Sequence, residues 1–101
     1  MIALYVTSLA EGVGKTTICA GLAKHLLSSG QKVGFLKLII AKEAEGSDSD
    51  ALFMKQILGL DEPVGTIRPV ISSQDKVVNR IREAYDQVSP GKDVVIVEGV
   101  C

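Results

Sequence analysis

TSLAEGVGKTTICAGL, residues 7–22, decides the reading of this chain. The apolar run IALYVTS, residues 2–8, leads into it and reads as a strand buried on both faces. After it, KTTICAGLAKHLLSSG (15–30) carries Ile18, Leu22 and Leu26 at helical spacing, with Cys19, Ala23 and Leu27 beside them and Gly30 as a stop. A strand, a glycine turn and a helix opening on Lys-Thr together make a trap for phosphate. Gly12 and Gly14 let backbone N–H groups converge on phosphate oxygens without Cβ interference. The first helical turn adds unpaired N–H groups and the positive end of the helix dipole. Lys15 would neutralise the β- and γ-phosphates of a nucleotide, and the Thr16 hydroxyl would ligate Mg²⁺. The nucleotide-binding segment is therefore expected to comprise Glu11, Gly12, Val13, Gly14, Lys15, Thr16 and Thr17. Leu9 stands where the common G-x-x-x-x-G-K-[ST] pattern has its first glycine. That departure spares the residues nearest the helix, which are the ones that approach phosphate.

The rest of the chain continues the alternation. QKVGFLKLII supplies a second strand over about 32–39, and AKEAEGSDSD a polar loop. SDALFMKQILGL shows helical spacing again, with Ser47 or Asp48 as cap. DEPVGTIRPVIS, with two prolines and a glycine, reads as a loop holding at most a short extended piece. QDKVVNRIREAYDQV places Val77, Val78, Ile81, Ala84, Tyr85 and Val88 on one side of an amphipathic helix. SPGK breaks that helix, and DVVIVEGV is an uninterrupted apolar strand. Strands without polar alternation, separated by helices, predict an α/β fold with a mostly parallel sheet of about four strands covered on both faces.

With 101 residues there is room for a single domain, 1–101. A net charge of −1 offers no surface for nucleic acid or an anionic membrane. The apolar runs are too short to span a bilayer. MIALYVTS has neither the basic region nor the cleavage site of a signal peptide, which leaves the cytoplasm as the expected location. Cys19 and Cys101 form neither a disulfide framework nor a metal pattern. His25 reads as a surface helix residue.

Three further residues stand out. Lys37 ends the second strand, at the carboxyl edge where open parallel sheets bind ligands. Asp50, in Ser49-Asp50-Ala51, is suited to Mg²⁺ and also to a capping box with Ser47, and the two roles are compatible. Glu98 ends a buried strand, a costly place for a carboxylate unless it is paired or near a cation, and Gly99 follows it.

On GVGKTT…GL, with its loop starting one residue early, and on LYVTS and GLAKHLLSSGQKVGFLK, the chain resembles the dethiobiotin synthetase and cobyrinic acid a,c-diamide synthase superfamily of P-loop proteins. The likeness is greatest to the dethiobiotin-synthetase-like N-terminal domain of phosphotransacetylase-related proteins. ParA- and MinD-like ATPases would carry a lysine where Ala10 stands. The resemblance implies a three-layer P-loop NTPase fold, of which this chain supplies only the N-terminal half. It implies that Lys37 meets substrate and the transferring phosphate, although Leu38 replaces the usual following proline. It also implies that Asp50, with Asp48 as its neighbouring substitute, and Glu98 join Thr16 around Mg²⁺. The implied reaction is ATP-dependent activation of a small carboxylate by a ligase. The competing readings are a nucleotide-sensing module without turnover and a truncated domain that pairs as a homo-oligomer through an exposed sheet edge.

Overall fold

The computed structural model describes residues 2–6, 15–40, 49–71 and 77–99. Along the chain these form β1 (Ile2–Val6), α1 (Lys15–Ser28), β2 (Val33–Lys37), β3 (Ile39–Ile40), α2 (Ser49–Leu58), α3 (Val64–Ile67), β4 (Val70–Ile71), α4 (Val77–Val88) and β5 (Val94–Glu98). Helix termination follows the glycines. Gly30 takes φ 83°, its N–H donates to the Leu27 carbonyl at 2.9 Å, and the Gln31 N–H reaches back to Leu26 at 3.1 Å. Gly59 closes α2 in the same way, at φ 63°, with the Leu60 N–H donating to Lys55 O at 3.0 Å. Both ends are Schellman turns, in which a left-handed residue without Cβ satisfies the last carbonyls.

The main sheet has the order β1-β5-β2, and both pairings are parallel. Every residue of β5 is buried, as are Val33 to Leu36 of β2, so both faces of these strands are covered. Gly34 shows what covers one face: a Cβ there would lie 3.1 Å from Lys92 Cγ and 3.3 Å from the Val88 carbonyl at the end of α4. Strand alternation then puts Gly34 and Leu36 on the α4 side, and Val33, Phe35 and Lys37 on the other. On that second side α2 packs against β2, and α1 packs against α2, β5 and β2. The largest wholly buried side chains, Phe35, Leu36, Met54, Ile67 and Ile96, fill the space between these layers.

The amino ends of β2 and β5 are tied by backbone. Asp93 N–H and Val94 N–H donate to Lys32 O at 2.7 and 3.1 Å, and Lys32 N–H donates to the Asp93 carboxylate at 2.8 Å. Nearby, Lys92 Nζ meets Glu62 Oε2 at 3.0 Å. Burial pushes the Glu62 carboxyl up, but its own backbone N–H, Lys92 and Lys55 outweigh that and hold it below the usual range.

Four expectations change. Among the described strands β1 lies at an edge of the sheet and is not buried on both faces; Ile2 and Tyr5 are each 58% exposed. The second strand stops at Lys37: Leu38 N–H makes the last bond to β5, at the Glu98 carbonyl (3.0 Å), and Ile39 N–H then goes to the Pro69 carbonyl (3.1 Å), starting a separate parallel pair, β3–β4. The described strands thus form a three-stranded and a two-stranded sheet, not one of four. The loop around Pro63 contains the short helix α3 as well as β4; Pro63 stands at its N-cap in an extended conformation (φ −60°, ψ 153°), its carbonyl accepting from Thr66 N–H at 2.9 Å and Ile67 N–H at 3.3 Å. Val78, placed on the apolar side of the amphipathic helix, faces solvent, as does Ile18 of the first helix, whereas Cys19, Ala84 and Val88 are buried.

Candidate functional site

The carboxyl ends of the strands carry the site. Register sets Val6, Glu98 and Lys37 in one row across β1, β5 and β2. Because parallel neighbours in register point the same way, the Glu98 and Lys37 side chains emerge together on the α1–α2 side. Thr16, in the first turn of α1, donates its hydroxyl to Glu98 Oε1 at 3.0 Å. Lys37 Nζ lies 3.2 Å from Glu98 Oε2 and 2.8 Å from Asp50 Oδ2 in the first turn of α2. Residues from two strands and two helices thus form one connected polar cluster.

Burial grades the members. The Glu98 side chain is 1% exposed, Lys37 20% and Asp50 50%. A carboxylate so enclosed needs compensation, which the hydroxyl and ammonium provide, one to each oxygen. Burial pushes the Lys37 pKa down, but the hydrogen bond to Asp50 and the charges of Glu98 and Asp50 outweigh it, holding the group above the ordinary lysine value of 10.5.

Of the residues singled out in the sequence, Thr16, Lys37, Asp50 and Glu98 are brought together. Lys15 opens α1 and Thr17 follows Thr16 on its exposed side. Glu11, Gly12, Val13, Gly14 and Asp48 lie outside the described residues, as do the Lys15 side chain and Cys101. His25 is exposed, as expected, and Cys19 is buried. Sequence reasoning passed over Tyr5. A Cβ on Gly99 would overlap the Tyr5 phenol, so glycine next to Glu98 lets that ring lie against the backbone at the sheet's carboxyl edge. The available signal was a tyrosine near the end of an apolar strand, where its hydroxyl needs a polar outlet.

The donor chemistry is that of hard oxygen. Among the described residues no group of three or more His, Cys, Asp or Glu side chains could hold a metal ion. Thr16, Asp50 and Glu98 offer a hydroxyl and two carboxylates, a set that suits Mg²⁺, which keeps waters and substrate phosphates in its shell and takes few protein ligands. A cavity of about 290 Å³, lined by Leu27, Lys32, Leu58, Glu62 and Lys92 among others, lies at the other end of the sheet.

The model of a family described as an AAA domain matches residues 3–100. The chain belongs to that family. This AAA-domain chain is 28% identical over 110 aligned positions to the ATP-dependent dethiobiotin synthetase BioD of Brachyspira hyodysenteriae, a match covering 96% of this chain and 50% of that protein. It is 27% identical to the BioD of Methanocaldococcus jannaschii, covering 95% and 51% respectively. It is also 30% identical to the phosphate acetyltransferase of Pseudomonas aeruginosa over 99% of this chain and 15% of that one. The AAA-domain chain is thus a dethiobiotin-synthetase-like P-loop domain, as the sequence resemblance implied, and it spans about half the length of the dethiobiotin synthetases it matches. None of its described helices is long and apolar enough to cross a membrane.

Proposed function

We propose that this domain binds Mg²⁺–ATP at the carboxyl ends of β1, β5 and β2 and serves an ATP-dependent ligase reaction that activates a small carboxylate. One observation carries the reading. The Thr16 hydroxyl, directly after Lys15, meets the Glu98 carboxylate from a strand 82 residues away in sequence, with Lys37 and Asp50 closing the same cluster. Thr16, Asp50 and Glu98 would hold Mg²⁺, and Glu11 to Thr17 would cradle the phosphates. Bound Mg²⁺ supplies neutralisation of the charge on the β- and γ-phosphates. The protein's own part is positioning. Lys15 would neutralise charge on the phosphates, the α1 N-terminus would offer its N–H groups, and Lys37 stands between the carboxylates at the edge where a second substrate would enter.

The similarity to ATP-dependent dethiobiotin synthetases supports the nucleotide and the ligase class. The similarity to a small share of a phosphate acetyltransferase supports a second reading, a nucleotide-sensing module within a larger protein. Calorimetric titration of ATP with and without Mg²⁺, on the wild type and Lys15→Ala, tests the site. Mg²⁺-dependent heat lost in the variant is the expected result. Absence of ATP binding to the folded wild type would overturn both readings, while binding without turnover in a carboxylate screen favours the second.

A further inference from the structure

The polar cluster has a feature that a simple cation site would lack: its two carboxylates already share a cation of the protein's own. Lys37 Nζ is within 2.8 Å of Asp50 Oδ2 and 3.2 Å of Glu98 Oε2. Both oxygens of the almost wholly buried Glu98 are engaged, Oε2 by Lys37 and Oε1 by the Thr16 hydroxyl. These two contacts differ in what they tolerate. A hydroxyl can donate its proton to Glu98 while its oxygen lone pairs ligate a cation. An ammonium has no lone pair, and its charge repels a second cation held by the same carboxylates.

We infer that Lys37 is a built-in counter-cation, bridging Asp50 and Glu98 in the place where a divalent ion would bridge them, so that ion loading and the Lys37 contacts exclude one another. The inference rests on the metal reading given under Proposed function and adds an exchange to it. The lysine keeps the buried Glu98 charge neutralised, and an arriving divalent ion takes over that duty. Lys37 then swings outward on its four-carbon stem with its charge free for an anionic group. The same exchange unties α2 from the sheet at this point, because the Lys37–Asp50 bond joins the first turn of α2 to the end of β2.

The test uses Mn²⁺ alone as a spectroscopic stand-in for Mg²⁺, titrated into the whole chain and followed by the electron paramagnetic resonance of the free ion. Lys37→Met should bind Mn²⁺ more tightly than the wild type by about tenfold or more, the effect expected when a unit charge is removed from within a few ångströms. Lys92→Met, which removes the same charge from the other end of the sheet, should leave the affinity unchanged. In the wild type, the ¹⁵N-detected ammonium resonance of Lys37 should shift and broaden as Mg²⁺ is added, reporting release from its carboxylates without any substitution. An unchanged or weakened affinity in Lys37→Met, or a Lys37 resonance indifferent to saturating Mg²⁺, would overturn the exchange while leaving the metal site standing. Failure of Mn²⁺ to bind the wild type and both variants would overturn the metal reading, and the exchange with it.

Discussion

Taking Glu98 to glutamine and Lys37 to methionine, singly and together, measures how far the ion pair at the sheet's edge supports the fold. Glu98→Gln keeps the volume and leaves an amide oxygen to accept from Thr16, but deletes the charge 3.2 Å from Lys37. Stranding one member of a fully buried pair costs about 3–5 kcal/mol. Lys37 is 20% exposed and keeps Asp50 at 2.8 Å, so most of that cost is relieved, and about 1–2 kcal/mol is expected. Lys37→Met strands the more deeply buried partner. Glu98, 1% exposed, is left with the Thr16 hydroxyl, and about 2–4 kcal/mol is expected. The double variant has no stranded charge at this pair, so its cost should fall short of the sum by about 1–3 kcal/mol. Urea unfolding followed by far-ultraviolet circular dichroism on the four proteins supplies the cycle. Additive single costs, to within about 0.5 kcal/mol, would refute the reasoning. So would a Lys37→Met cost smaller than that of Glu98→Gln, since burial is the ground for the ranking.

Two further outcomes follow from the same geometry. Gly34→Ala should lower the urea midpoint, at a cost of about 1–2 kcal/mol, because the new Cβ meets Lys92 Cγ at 3.1 Å, the Val88 carbonyl at 3.3 Å and Val95 Cγ2 at 3.4 Å, and only the lysine can move aside readily. Thermal melts across pH should show two limbs. Lys37 has its pKa raised above 10.5 in the fold, so its contribution is complete below that value and disappears as pH rises through the folded value. Glu62 has its pKa lowered below 4.5, so its contribution is present above that value and disappears as pH falls through the folded one. In Lys37→Met the alkaline limb should flatten, and in Glu62→Gln the acid limb.

The site was more legible in the sequence than the sheet was. Thr16, Asp50 and Glu98 each sit beside a local marker: the Gly-Lys turn, the first turn of a helix and the end of an apolar strand. Such markers survive in one dimension because they combine residue type with element boundary. Lys37 was readable as a strand end, but its bridging of two carboxylates required knowing that β5 lies next to β2. The exposure of β1 was hidden for a related reason. IALYV has the composition of a doubly covered strand, and composition carries no information on which strand lies at the edge. The split between β2 and β3 was equally invisible, because after Leu38 the Ile39 N–H leaves β5 for the Pro69 carbonyl, a partner far along the chain.

β5 is the last of the described strands in sequence, yet it lies between β1 and β2, which have no register with each other. A ribosome therefore releases two strands that cannot pair until a third is made. Until then the nascent chain holds helices and apolar strands with nothing between them, the kind of long-range closure that folds slowly and leaves edges open to other molecules. The arrival that joins the described strands β1 and β2 also delivers Glu98, the carboxylate that Thr16 and Lys37 both hold. In a chain built in this order, the contacts of Thr16 and Lys37 with Glu98 form only once β5 has been inserted between β1 and β2.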